Sequence, residues 1–402
     1  MKIESRLIMF PEIFILSAVR TPIGKFGGVF AEVSAPELGA FAAKAAIERA
    51  KIEAAQLNEV VMGHARPAGV GPNPARQIAK RAGVPVEVPA YTVNKACGSS
   101  LRAIISAVQA IKCGDAEVIL AGGAESMSRV PYLLMKARYG YRLGHEKIVD
   151  AMYQDGFLCP LCGKVMGETA ETLAAQYKIS REEQDRYAMV TQHRCEAARM
   201  SGRFNDEIVP VEVKGRKGER VTVREDEHPR DGVTIESLAK LEPVFNKTGT
   251  VHAGNSSGIV DGAAVVVVAN GEFVRKNNSP VLARVVDYTV AGVDPAIMGI
   301  GPVPAIRALL QRQNLKLGDI DLIELNEAFA AQVIACDREL HFDPTKLNVN
   351  GGAIALGHPI GATGARIVVT LVHEMIKRKS KLALATLCVS GGLGIALLLE
   401  RA

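Results

Sequence analysis

The sequence predicts an α/β protein made of two related halves with a loop domain inserted into the first. Three observations carry this. Short, uniformly apolar segments alternate with segments of helical periodicity, the pattern of strands covered on both faces. The succession helix, short charged turn, apolar strand, Gly-Gly occurs twice, once after Cys97 and once after His358. The stretch 126–252 is more polar than what flanks it.

The first strand is expected over 13–19 in EIFILSAV. A helix over 36–54 follows, with Leu38, Phe41, Ala42, Ala45 and Ile47 at near-helical spacing, and then a short strand over 59–63. Leu101, Ile104, Ile105, Val108 and Ile111 mark a helix over 101–111, and EVILA a strand over 117–121 that runs into Gly122-Gly123. In the polar stretch, Ser180 and Glu183 fit a capping box at the start of one clear helical region. GAAVVVVA, 262–269, returns as a core strand. The second half repeats the grammar: strand 281–286, helix 304–311, strand 321–325, helix 364–378 and strand 382–387, ending at Ser390-Gly391-Gly392. The implied organisation is a first half over 9–125 plus 253–280, an inserted loop domain over 126–252 and a second half over 281–402. This is a degenerate duplication, not a short-period repeat.

A chain of 402 residues with 48% hydrophobic and 23% charged side chains has ample core for such an assembly. The net charge of +5 is spread along the chain without long runs of one sign, which argues against a nucleic-acid partner. Seven cysteines, an odd number without framework spacing, point to a reducing compartment, hence the cytoplasm. Cys159 and Cys162 form a CxxC with no second pair to complete a zinc site, so no metal is expected there. Glu4, Pro11 and Glu12 interrupt any signal-peptide core, and no apolar run reaches membrane-spanning length. The first eight residues read as an extension, with Met9 an alternative start.

Four residues are placed where chemistry is done. Cys97, in VNKACGSSLR, lies just ahead of a helix whose free N–H groups and partial positive charge favour a thiolate. Gly98 leaves room beside the sulfur. A packed core cysteine is the alternative. His358 sits in a glycine-rich loop, NGGAIALGHPIGATG, which lacks the Gly-Lys-Ser/Thr of a phosphate loop and suits a general base. Cys388 ends the apolar strand LALATL and opens into a glycine turn able to offer N–H groups to an oxyanion. Asn326 follows the strand DLIEL, where a carboxamide can hold a water or a carbonyl, or simply cap a helix.

Taken together, VNKACGSSLRA, NEAFAAQ, NGGAIALGHPIGATGAR and CVSGGLG, with SAVRTPIGKFGG and AGNSSGIVDGAA, resemble the thiolase family from about Phe10 onward. The resemblance implies a five-layer αβαβα core and reversible acyl transfer between coenzyme A thioesters. The reaction is either Claisen condensation or thiolytic cleavage of 3-oxoacyl-CoA, with acetoacetyl-CoA and longer chains as substrates. It makes Cys97 the acyl-accepting nucleophile, His358 its base, and Cys388 the second acid/base. Asn326 would hold an oxyanion-hole water with His358, and the backbone N–H groups of Cys97 and Ser390 would form a second oxyanion hole. Ser257, Arg230, Ser237, Phe245 and Ala253 fall where the family contacts CoA, Met166 and Met298 where it binds the acyl group, and Phe329 counts among the substrate or CoA contacts. No metal or redox cofactor is implied, since CoA is a substrate; acyl-CoA, acetyl-CoA and CoA are the partners, and a homodimer or homotetramer is expected. Two departures stand out. Val165 precedes MGETAE where short-chain members often carry His, and Ser390 stands where many have Gly. The alternative is a non-catalytic acyl-CoA-binding protein on the same fold. Related condensing enzymes are disfavoured by Cys388, which they lack.

Overall fold

The computed structural model describes residues 11–215 and 218–402; the expected N-terminal extension and the alternative start at Met9 lie outside the described residues. The first half contains β1 (Ile13–Arg20), α1 (Ala35–Arg49), β2 (Glu59–Gly63), α2 (Pro74–Arg81), β3 (Ala90–Val93), α3 (Ser99–Cys113) and β4 (Val118–Ser126). The inserted stretch carries α4 (Met166–Gln176) and α5 (Arg181–Met200), and β5 (Val260–Asn270) completes the first half. The second half runs β6 (Ala283–Gly292), α6 (Pro302–Arg312), β7 (Leu322–Leu325), α7 (Ala330–Leu340), α8 (Thr363–Arg378), β8 (Leu382–Val389) and β9 (Leu393–Arg401).

The two halves share one strand order. The first is β2-β4-β5-β1 and the second β7-β8-β9-β6, with β3 added outside β2. In each, the first pair is parallel and the next two are antiparallel. The halves join where β1 residues Ile13–Ile15 pair with β6 residues Ala283–Val285. Three apolar cores separate the layers. One lies between α1 and α2 and the outer face of the first half, one between α6 and α7 and the outer face of the second. The third holds α3 and α8 between the inner faces of both halves. That succession is the expected five-layer αβαβα arrangement. The central helices approach closely: the backbone N–H of Ala365 donates to Ser100 Oγ at 2.9 Å. A Cβ on Gly364 would lie 2.5 Å from the Leu101 nitrogen, so only glycine permits this crossing.

Several boundaries move. The first helix ends at Arg49 rather than Ala54, because Lys51 adopts a positive φ of 55°. The helix after Cys97 begins two residues earlier than expected, at Ser99. The inserted stretch holds two long helices, not one. The Ser180 capping box is present, Ser180 Oγ accepting from the Glu183 N–H at 3.2 Å. These helices lie against α7: Arg338 Nη2 donates to Glu183 at 2.6 Å and Tyr177 Oη to Glu339 at 2.9 Å. Among the described residues, no helix is long and apolar enough to cross a membrane.

Candidate active site

Cys97 sits in a turn held by its neighbours. Ala96 adopts a left-handed φ of 44°, a conformation costly for a non-glycine residue and kept only where the surroundings fix it. Here Ser99 supplies the constraint: its Oγ accepts from Lys95 N–H at 2.9 Å and donates to the Ala96 carbonyl at 2.6 Å. Gly98 also has a packing reason. A Cβ there would lie 2.9 Å from Val389 Cγ2, so the glycine lets the turn rest on the end of β8. The expectation that the helix end would favour the thiolate is corrected: burial pushes the Cys97 thiol up. Arg66 and the N–H groups of Ser390 and Cys97 itself, which face the sulfur, oppose the rise. The helix proper starts two residues on, which places the sulfur outside its first turn.

Cys388 ends β8, fully buried. Burial holds its thiol well above the usual range, and Cys97 is near enough that ionisation of one sulfur opposes that of the other. Ser390 keeps an ordinary backbone, since the positive φ values of the following turn fall on Gly391 (88°) and Gly392 (82°). The departure from glycine at that position is therefore without strain.

His358 is buried, and its ring is fixed from one side. Nδ1 lies 2.6 Å from Thr363 Oγ1, whose own proton goes to the Pro359 carbonyl at 3.0 Å. With that hydroxyl proton committed, Nδ1 must carry the ring hydrogen, leaving the Nε2 lone pair free. Nε2 is buried and has no partner within the chain. Burial first, then the charges of Arg366 and Arg66, lower the ring to about 3, so it is neutral at pH 7. Asn326 is also fully buried, and neither its Oδ1 nor its Nδ2 is satisfied. Buried polar groups are seldom left without partners, and a site for a water or a substrate oxygen is the usual reason when they are.

Beside Cys388 lies one apolar cluster containing Met298 and Phe329, with Met166 and Phe245 packed against it. Phe245 meets Phe329 edge to face at 6.3 Å between ring centres. Both expected acyl-side residues, Met166 and Met298, thus converge on the second cysteine with Phe329 and the expected CoA contact Phe245. Ser257 N–H donates to the Ala328 carbonyl at 3.0 Å, tying the AGNSSG loop to the strand end that bears Asn326. Arg230, Ser237 and Ala253 are exposed farther out on the loop. Ser237 Oγ donates to the Thr234 carbonyl at 2.7 Å as part of a helix cap, so it has a structural task of its own. A separate cleft of about 1370 Å³, between Lys25, Phe41, Lys44 and the hairpin residue Val213, contains none of these residues.

Residues 13–272 match the thiolase N-terminal domain and residues 279–401 the thiolase C-terminal domain. The chain belongs to the thiolase family. It is 53% identical to the acetyl-CoA acetyltransferase of Pseudomonas aeruginosa over 390 residues, covering 97% of this chain and 99% of that one. It is 52% identical to the Escherichia coli acetyl-CoA acetyltransferase, covering 96% and 98%. Among solved structures it is similar to the Bacillus anthracis acetyl-CoA acetyltransferase (TM-score 0.96, 46% identity, 98% and 99% covered). It is equally similar to human mitochondrial 3-ketoacyl-CoA thiolase (TM-score 0.95, 46% identity, 98% and 99% covered). This thiolase is an acyltransferase.

The thiolase site also rests on residues that sequence reasoning missed. Glu125, fully buried, accepts from the N–H groups of Ala65 (2.9 Å), Arg66 (3.2 Å) and Gly361 (2.8 Å), tying the His358 loop to the first half. Glu327 accepts from Tyr187 (2.7 Å), Thr191 (2.8 Å), Asn348 (3.0 Å) and the Ile354 N–H (3.1 Å), fixing the loop from its other end. His252 Nε2 lies 2.7 Å from Asp185, which steadies the loop that carries Ala253 and Ser257. Glu125 and Glu327 stand inside glycine-rich or strand-end motifs, and that position was their one sequence signal.

Proposed function

We propose that this thiolase interconverts 3-oxoacyl-CoA plus CoA with acetyl-CoA plus a shortened acyl-CoA, through an acyl group carried on Cys97. In cleavage, the Cys97 sulfur attacks the 3-oxo carbon as its proton passes to His358 Nε2. The C2–C3 bond breaks, acetyl-CoA leaves as its enolate, and the Cys388 thiol protonates it. CoA then takes the acyl group from Cys97. In condensation the steps reverse, and Cys388 removes the α-proton of acetyl-CoA. A thioester intermediate keeps the acyl group activated, so both directions remain open. No metal or redox cofactor enters these steps.

The observation that carries this reading is the set of unsatisfied buried groups. His358 Nε2 and both ends of Asn326 are desolvated and unpartnered, on strand and loop ends near the half-buried Cys97 and the fully buried Cys388. Once His358 Nε2 has taken the Cys97 proton it becomes a donor, and with the Asn326 carboxamide it can supply the hydrogen bonds an enolate oxygen needs. The Cys97 and Ser390 N–H groups, which already face the sulfur, support a second such hole for the tetrahedral intermediate. Thiols held protonated suit both roles, since Cys97 surrenders its proton only during attack and Cys388 keeps one to give. The alternative of a non-catalytic binding protein leaves these costly groups unexplained.

The pocket beside Cys388 is apolar, and Val165 adds no polar group to it. This supports chains longer than acetoacetyl-CoA among the substrates and a place in fatty-acid metabolism. Ser257, Phe245, Ala253, Arg230 and Ser237 are proposed to face CoA; the human 3-ketoacyl-CoA thiolase is known in complex with CoA. A cytoplasmic homodimer or homotetramer belongs to the same proposal. The exposed side chains of Tyr132, Leu134, Met135, Tyr139 and Leu143 support self-association. The test is thiolysis of acetoacetyl-CoA and of longer 3-oxoacyl-CoAs side by side, with Cys97→Ala as control. Activity abolished by the substitution supports the reading; full activity without Cys97 refutes it.

A further inference from the structure

The pair Cys159 and Cys162 has no part in the steps above, yet it is built into the rim of the site. The two residues bracket the tip of a small hairpin whose paired ends are Leu158–Cys159 and Lys164–Val165. Gly163 closes the turn with a positive φ of 68°, its N–H donating to the Cys159 carbonyl at 2.9 Å. The turn makes the two thiols neighbours, each within electrostatic influence of the other. Cys159 is 1% exposed, whereas Cys162 is partly open to solvent. Among the described residues, no further group joins them to make a metal site.

The hairpin and the residues beside it lie along the edge of the site. Leu161 Cδ1 at the tip lies 3.9 Å from where a Cβ on Gly391 would be, next to the Ser390 whose N–H faces the Cys97 sulfur. Phe157, just before the hairpin, packs in the cluster that includes Cys97. Val165, at its far end, is the cap of α4, whose first residue is Met166 of the cluster beside Cys388.

We propose that Cys159 and Cys162 form a reversible dithiol–disulfide site that adjusts the acyl end of the active site, closed by exchange with a low-molecular-weight disulfide of the glutathione type. Cys162, the accessible sulfur, attacks one sulfur of the external disulfide and releases the first small thiol. Cys159 then attacks Cys162 and displaces the second. Two protein thiols lose two electrons and two protons, and the external disulfide becomes two thiols. Bonding fixes the sulfurs about 2 Å apart, so the tip bearing Leu161 must shift against Gly391. Burial and the neighbouring thiol push Cys162 up, which makes exchange slow and fits a pair that answers to redox conditions rather than to each turnover. The effect on turnover rests on the proposed role of Cys97; the disulfide itself does not.

The experiment equilibrates the full chain with oxidised and reduced glutathione over a range of ratios. It alkylates free thiols, maps each cysteine by mass spectrometry, and measures thiolysis of acetoacetyl-CoA on the same samples. The expected result is a Cys159–Cys162 link reversed by dithiothreitol. With it, kcat/KM falls about tenfold, since misplacing a catalytic element by a fraction of an ångström to an ångström costs up to about 100-fold. Cys162→Ser and the double variant Cys159→Ser/Cys162→Ser should lose that part of the sensitivity and retain activity in the reduced buffer. Oxidation that reaches Cys97 or Cys388 appears in the same map and inactivates all variants alike. The proposal is overturned if glutathione modifies other cysteines while 159 and 162 stay free. It is equally overturned if the link forms and turnover is unchanged.

Discussion

Replacing Thr363 by Val tests whether one hydroxyl sets the proton position on His358. The hydroxyl is fully buried, donates to the Pro359 carbonyl at 3.0 Å and stands 2.6 Å from Nδ1. Valine matches its shape and removes the acceptor. A buried Nδ1–H left unsatisfied costs about 1–3 kcal/mol, and the ring can avoid that cost by moving its proton to Nε2. In that tautomer Nε2 cannot accept from Cys97. The expected fall in kcat/KM for thiolysis is therefore about 5- to 150-fold, the same free energy expressed as a rate. The KM should move little, because Thr363 is buried behind the ring and makes no surface for substrate. Thr363→Ser keeps the hydroxyl and should recover most of the loss, which separates a proton-placing role from a packing role. The assay is steady-state thiolysis of acetoacetyl-CoA by all three proteins, with thermal melts to verify folding. Thr363→Val within twofold of the parent, or Thr363→Ser as impaired as Thr363→Val, would refute the tautomer argument.

Asn326→Ala should lower kcat by about 100- to 1000-fold, the usual cost of an oxyanion donor, yet leave the melting temperature nearly unchanged, because the carboxamide has no partner within the chain to lose; a large stability loss with retained activity would contradict its role. Arg66→Met removes the largest influence lowering the Cys97 thiol, so iodoacetamide alkylation of Cys97, followed against pH, should shift to higher pH; superimposable profiles would show that the guanidinium does not act on the sulfur. Gly361→Ala should distort the His358 loop and abolish most activity, since its Cβ would lie 2.5 Å from Glu125 Oε2 and 3.0 Å from the Ala65 nitrogen; wild-type turnover would refute the clamp. His358 is held neutral, at about 3 against an ordinary 6.5, so the unfolded chain binds the extra proton between those values and stability falls as pH drops through that window. Between pH 7 and 4.5 this amounts to roughly 3 kcal/mol, and urea midpoints of the parent should drop more steeply than those of His358→Gln.

The residues of the proposed site that the sequence displays are those with a local setting. Cys97, His358, Cys388 and Asn326 each stand at the edge of a strand, helix or glycine loop, and the motif itself displays that placement. Glu125 was not readable because its partners are remote: Ala65 is 60 residues away and Gly361 is 236. The packing reason for Gly98 was hidden likewise, since the atom it avoids belongs to Val389 on another half. The direction for Cys97 is not legible in the motif because burial outweighs Arg66 and the N–H groups of Ser390 and Cys97 itself, and Arg66 and Ser390 are distant in sequence. In the fold, α2, β3, α7 and β9 went unnamed. Ala90–Val93 is too short to show alternation, and Ala330–Leu340 interleaves Gln, Asp and Arg with its apolar face.

The duplication explains why the groups of the proposed site fall where they do. Gly63 stands opposite Gly123 in the first half, and Leu325 opposite Thr386 in the second. Stepping two residues on from Gly123 and Thr386 makes Glu125 the counterpart of Cys388. One residue past β2 and β7 makes His64 the counterpart of Asn326. Two residues before α3 and α8 makes Cys97 the counterpart of Gly361. The first-half contact between Glu125 and the Gly361 N–H is thus the mirror of the proximity of Cys388 to Cys97. The two sets differ in saturation. His64 has both ring nitrogens engaged, with the Ala124 carbonyl at 2.8 Å and the Arg66 carbonyl at 2.9 Å, whereas Asn326 has neither end engaged. One copy of the constellation is satisfied internally and rigidifies the loops. The other is left unsatisfied and so is free to bind a reacting group. A buried polar site can stay open in this way because its twin, built on the same register, supplies the hydrogen bonds that hold both in place.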